Sequence, residues 1–166
     1  MSAERSAVHP RRSDREIVDT DEIKGIISSQ KFLTIAMCSG GEPYEPYLVT
    51  LSYGYDPDQQ CFFFHCAPDG RKIDILLEHP TVWGQIIQDR GYLAGECAHA
   101  YSSVEFRGTV SFLESTEEKA AALCMMIDQL EPDPEPVKEK QVLGKDLGNV
   151  CVGRIDVEAF SGKKAH

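Results

Sequence analysis

Phe62-Phe63-Phe64-His65-Cys66-Ala67-Pro68-Asp69-Gly70-Arg71-Lys72 is the stretch whose reading decides the fold. An aromatic strand runs through a Pro-Asp-Gly turn into Ile73-Asp74-Ile75-Leu76-Leu77-Glu78, which reads as a short amphipathic helix. The turn therefore delivers two adjacent cations to a helix N-terminus, where the first N–H groups have no acceptor of their own. Arg and Lys at such a place form a compact receptor for a dianionic phosphate. The competing reading is a solvated basic pair that happens to open a helix, and the choice between them rests on the surrounding chain.

Upstream, Asp19-Thr20-Asp21-Glu22 offers an N-cap and an acidic first turn for a helix through Ile23, Ile26 and Ile27. Residues 31–38 (KFLTIAMC) are apolar and β-rich, and Ser39-Gly40-Gly41-Glu42 is a turn. A second strand covers 46–55, and Asp56-Pro57-Asp58 turns it into a third at 60–65, which predicts an antiparallel meander. Downstream, His79-Pro80 ends the helix and 81–88 (TVWGQIIQ) reads as a strand. Residues 90–100 carry no clear pattern, whereas 102–113 alternates Val104, Phe106, Val110 and Phe112 at the period of a half-buried strand. Ser115-Thr116-Glu117-Glu118 caps a helix containing Leu123, Met126, Ile127 and Leu130, with Met125-Met126 as ordinary packing. Residues 131–136 (EPDPEP) read as a stiff acidic loop, 150–157 as a last strand and 161–166 as a tail. The domain reading is a flexible N-terminal arm at 1–15 and a single domain at 16–166. Strands joined mostly by hairpins and interrupted by helices predict a mainly β, closed or nearly closed antiparallel barrel with flanking helices.

The bulk composition narrows the function. The chain has 166 residues, 42% of them hydrophobic and 27% charged, with a net charge of −10. So acidic a balance excludes a general nucleic-acid binder, and any anionic ligand must be held by a local positive site. There is no apolar run of about 18 residues, hence no expected membrane span. The polar Met1–Arg15 segment lacks an apolar core for a secretory signal, so a cytoplasmic location is expected. The six cysteines, Cys38, Cys61, Cys66, Cys97, Cys124 and Cys151, contain no C-x-x-C pair and are expected to be buried and reduced. Cys97-Ala98-His99 lacks further ligands at zinc-like spacing, so no metal is expected. No strand leads into a G-x-G-x-x-G or Walker loop.

Taken in order, several segments resemble the FMN-binding split-barrel superfamily of pyridoxamine 5′-phosphate oxidase, and within it the nitroimidazole-resistance type. These are Arg11-Arg12-Ser13-Asp14-Arg15-Glu16-Ile17, Pro43–Tyr47 leading into the strand to Tyr55, the Phe62–Lys72 stretch, Tyr101-Ser102-Ser103-Val104 with Arg107-Gly108, and residues 155–163. The resemblance implies a split β-barrel homodimer with flavin at the subunit interface, FMN being the cofactor and FAD an alternative. It implies that Arg71 and Lys72 bind the phosphate and that Ser102 or Ser103 adds a hydroxyl. Tyr47, Leu48, Val49, Thr50 and Leu51, with His65, Cys66 and Ala67, would lie along the ring through their backbones. Members often carry Arg where this chain has Ser102. The C-terminal arginines and histidine that hold pyridoxal phosphate in the oxidases find no match in Arg154 and His166, so vitamin B6 oxidation is not implied.

The expected function is an FMN-dependent oxidoreductase passing electrons from a reduced donor to a small acceptor, a nitroaromatic by resemblance, with His65 as the catalytic candidate. The alternatives are a non-turnover flavin store or sensor and a haem-handling barrel with His65 or His99 as ligand. Among single residues, Cys66 has no resolving cysteine in sight and reads as a small buried residue. Trp83 reads as core, one of Tyr53 and Tyr55 as a candidate for the barrel mouth, and His9 and His79 as solvent-exposed.

Overall fold

The computed structural model describes residues 10–165. The expectations for residues 1–9, His9 included, and for His166 lie outside the described residues. A short 3-10 turn at Ser13–Arg15 leads into β1 (Glu16–Ile17), so the end of the expected flexible arm is structured. There follow α1 (Thr20–Ser29), β2 (Phe32–Cys38), β3 (Pro46–Ser52), β4 (Gly54–Asp56), β5 (Cys61–Cys66) and α2 (Arg71–Glu78). The chain then runs through β6 (Thr81–Leu93), β7 (Ala98–Phe112), α3 (Thr116–Leu130), α4 (Pro134–Gln141) and β8 (Cys151–Ala165).

The strands make one antiparallel sheet ordered β3-β2-β6-β7-β8-β5-β4, with β1 added to β8. The sheet curls without closing. Its two ends, β3 and β4, are consecutive in the chain and are joined through Tyr53 alone. Tyr53 is fully buried, sits edge-on to Phe62 and donates its hydroxyl to the Ile27 carbonyl. The barrel is thus split along its ladder and bridged by the chain itself.

Inside the curl, Phe62 packs against Phe106 at 4.6 Å between ring centroids, surrounded by Leu33, Ile35, Ile86, Val104 and Ile155. Two glycines make room for these rings. Gly84 faces Phe106 and Gly153 faces Phe64 across the ladder, and a Cβ at either position would fall within the ring. A second apolar cluster of Cys61, Phe63, Ala122, Met126 and Val152 lies where α3 covers the other face of β5. The caps follow the sequence: Asp19 accepts from the Asp21 N–H, and the Ser115 hydroxyl accepts from the Glu118 N–H while donating to the Glu118 carboxylate.

Several expectations are corrected. The strand expected at 46–55 changes partner at Tyr53, so β3 pairs only with β2 while β4 pairs with β5, and there is no simple meander. Tyr53 and Tyr55 are both core residues, neither at a mouth. Residues 90–100 are the tip of the long β6–β7 hairpin, which shifts register between Asp89 and Tyr92. The acidic loop begins α4, with proline in its first turn, and the tail is the second half of β8, paired with both β7 and β1. Trp83 points outward and is 44% exposed. Cys38 and Cys97 are exposed, contrary to a uniformly buried set.

Candidate functional site

Gly70 caps α2 with φ +120°, a conformation open to glycine and strained for other residues. That backbone kink sets Arg71 and Lys72 in the first helical turn, and no neighbouring atom would contact a Cβ at Gly70, so the approach is open. The Arg71 guanidinium lies 4.8 Å from the centre of the Tyr47 ring and forms a 2.7 Å ion pair with Glu45, which raises its already high pKa. The Lys72 ammonium lies 5.7 Å from the Phe64 ring centre, with no carboxylate partner among the described residues. Two cations, one of them uncommitted, meet the first N–H groups of α2 here.

The strand beside this turn is β3. Tyr47, Val49 and Leu51 pack inward, whereas Leu48 and Thr50 face out, Thr50 sharing a 3.1 Å hydroxyl contact with Thr34. Because β3 ends the ladder, one side of its backbone has no strand partner. A row of free N–H and C=O groups beside an apolar wall is what the polar edge of a flat heterocycle needs.

His65, Cys66 and Ala67 finish β5 at the same rim. His65 turns away from the curl and opens onto a cavity of about 340 Å³ lined mainly by apolar residues of α3 and α4, such as Leu123, Leu130 and Val142. Cys66 turns inward and is the register partner of Cys151. A second thiol therefore stands opposite Cys66. Sequence reading missed it because the pair is made by sheet topology and not by spacing.

Ser102 and Ser103 lie at the far end of the molecule. At ~3.3 Å per residue, β7 runs about 30 Å from Ser103 to Phe112, and it is Phe112 that touches Phe64, 6.5 Å between centroids, beneath Lys72. Ser102 points inward, fully buried, and its hydroxyl has no hydrogen-bond partner. Ser103 points outward and lines a pocket of about 200 Å³ with Arg11, Arg12, Ser161 and Lys163. Within one chain, these serines and the Arg71–Lys72 turn do not converge. Arg11, Ser161 and Lys163 are site candidates absent from the sequence reading, although the basic run at Arg11-Arg12 was visible there. His99, the other candidate imidazole, is held 2.7 Å from Asp89 and lowers that carboxylate's pKa.

The open, curled antiparallel sheet with its cation turn defines a split β-barrel of the flavin-binding kind. Residues 19–164 match the family model described as pyridoxamine 5′-phosphate oxidase, and the chain belongs to that family. A search of curated proteins gives no sequence match. Among solved structures, the chain resembles a putative 5-nitroimidazole antibiotic resistance protein from Bacteroides thetaiotaomicron, with 24% identity and a TM-score of 0.71 over 90% of this chain and 86% of that one. It is also similar to an FAD and heme binding protein from Mycobacterium smegmatis, at 14% identity and a TM-score of 0.73 over 92% and 74%. The heme storage protein HutZ from Vibrio cholerae matches at 18% identity and a TM-score of 0.59 over 87% and 94%.

Proposed function

We propose that the protein is an FMN-dependent oxidoreductase that works as a homodimer. The observation that carries this reading is the Gly70-Arg71-Lys72 turn, a dication at a helix N-terminus beside the free edge of β3. When bound, the flavin supplies two-electron transfer between a reduced donor and a small acceptor. The chain's own part is to bind and orient. Arg71 and Lys72 hold the phosphate, and β3 from Tyr47 to Leu51 lies along the ring with His65, Cys66 and Ala67 at its rim. His65 is the candidate proton donor, and the apolar cavity it opens on is the candidate acceptor pocket. A nitroaromatic is the acceptor class to try first, prompted by the name of the Bacteroides neighbour. FAD fits the same anchor if its longer tail runs outward from the exposed turn.

The separation of the two half-sites within one chain supports the dimer reading. Ser103, with Lys163 and Arg11 around it, faces outward from the strands that also carry the exposed Leu48, Trp83 and Ile87. A second copy laid on that face covers the apolar side chains and brings its own Arg71 and Lys72 toward Ser103. Ser102, buried on the opposite face, then takes no part. The acidic chain with unbridged cysteines suits a reducing, cytoplasmic setting. No helix among the described residues is long and apolar enough to cross a membrane.

The test is the visible spectrum of the purified protein, with and without added FMN, before and after NADH or NADPH. Bands near roughly 370 and 450 nm that bleach on reduction support the reading. A bound flavin that never bleaches favours the store or sensor. A Soret band with haem favours the haem-handling alternative, which His65 beside an apolar cavity makes specific. Arg71→Ala with Lys72→Ala should cost about 3–5 kcal/mol of FMN affinity, the worth of two charge-assisted contacts. Unchanged affinity in a fluorescence titration removes the phosphate assignment.

A further inference from the structure

Cys66 and Cys151 are the last register pair of the β5–β8 ladder, and both are partly exposed. Directly opposed residues of an antiparallel pair project to the same face with Cα atoms about 4.5–5.5 Å apart, inside the range a disulfide spans. No other cysteine is so placed. Cys61 faces Asp156 across the same ladder, Cys38 faces Pro46, Cys97 lies at a hairpin tip and Cys124 on α3. The Cys151 thiol is pushed up to about 11 by burial and by the Cys66 thiol beside it, while Lys119 and Lys72 pull the other way. The pair therefore sits close to the Lys72 ammonium, at the foot of the phosphate turn.

We propose that Cys66 and Cys151 form a reversible cross-strand disulfide, with small-molecule disulfides of the glutathione type as the oxidant. Cys66 is the entry thiol, because burial disfavours the Cys151 thiolate. The Cys66 thiolate attacks one sulfur of the small disulfide, forming a mixed disulfide and releasing one small thiolate. Deprotonated Cys151 then attacks the Cys66 sulfur, forming the Cys66–Cys151 bond and releasing the second thiolate. Two electrons pass from the protein dithiol to the small disulfide, and the two thiol protons leave with the two small thiols. The pairing rests on the β5–β8 register and not on the proposed flavin site, and the test is run on flavin-free protein.

The test treats the full-length protein with oxidised glutathione, blocks remaining thiols and maps peptides without reduction. The expected result is a peptide joining Cys66 to Cys151, about 2 Da lighter than the sum of its reduced parts and released by dithiothreitol. In Cys151→Ser, Cys66 should instead keep a glutathione adduct of about 305 Da, because nothing displaces it. In Cys66→Ser, the partly buried Cys151 should react more slowly than the exposed Cys97, which serves as internal control. A stable adduct on Cys66 in the unmutated protein overturns the proposal, as do both thiols left unmodified once Cys97 has reacted. Circular dichroism of each variant confirms folding, and the peptide map of the unmutated protein decides the pairing even if a variant fails to fold.

Discussion

Arg71 can reach a phosphate only by giving up or sharing its 2.7 Å ion pair with Glu45. The arginine side chain is 49% exposed and the glutamate 63%, so their attraction is screened by water and contributes little to stability. Its effect on a dianion is larger in relative terms, because a carboxylate held beside the receptor both competes for and repels the ligand. Tyr47 keeps the guanidinium in place from below, 4.8 Å from its ring centre, whatever sits above. Glu45→Gln should therefore tighten FMN binding by roughly 3–10-fold in a fluorescence titration while leaving the melting temperature nearly unchanged. An affinity unmoved by this change would show that Arg71 does not meet the phosphate. A second expectation at this scale concerns pH. Cys61 and Cys151 are each raised from 9.0 to about 11, both chiefly by burial. A thiol that ionises later in the fold than in the unfolded chain stabilises the fold fully below about pH 9, and that contribution is lost as the pH climbs through about 11. Thermal melts from pH 8 to 10.5 should show the decline, and Cys61→Ala should flatten it.

Among the elements, β6 shows most clearly what sequence can and cannot convey. Its inward set, Val82, Gly84 and Ile86, alternates with an outward set, Trp83, Gln85 and Ile87, and both sets are largely apolar. The strand is legible as a strand, but nothing in its pattern says which face is covered, so Trp83 reads as core. Gly84 looks like a weak point in such a strand until Phe106 is seen lying against it. Gly84→Ala should destabilise the fold by about 2–3 kcal/mol, the cost of overpacking a filled core. Chemical denaturation measures it, and a loss below ~0.5 kcal/mol would mean the ring shifts freely. The α2 turn was legible because glycine, two cations and an apolar periodicity fall together within a few residues. Helix α4 was not, although Asp133 and Pro134 carry the usual start signals, because the alternating prolines of 131–136 resemble a loop more than an N-terminus. The second half of β8 escaped for another reason: Ser161-Gly162-Lys163-Lys164 has weak strand propensity and is held by β7 on one side and β1 on the other. The pairing of Cys66 with Cys151 belongs to the same class, since register between distant strands leaves no local trace.

For the whole molecule, the proposed dimer makes one substitution carry two consequences. Trp83→Lys places a charge in the middle of the outward apolar face without touching the Gly70-Arg71-Lys72 turn. Light scattering should then report a monomer, and FMN affinity should fall at least ~10-fold because Ser103 and Lys163 of the second copy are withdrawn. A monomer that still binds flavin at full strength would leave the turn as an anchor sufficient by itself and remove the shared site. The split in the barrel has a mechanical meaning of its own. A closed barrel admits a guest between its strands only by breaking hydrogen bonds around the ring. Here the gap is already present, and the single residue that spans it, Tyr53, is riveted to Phe62 and to the Ile27 carbonyl. The molecule is therefore built like a key ring: its two ends meet without a ladder between them, and the joint that links them is a fully buried residue of the core.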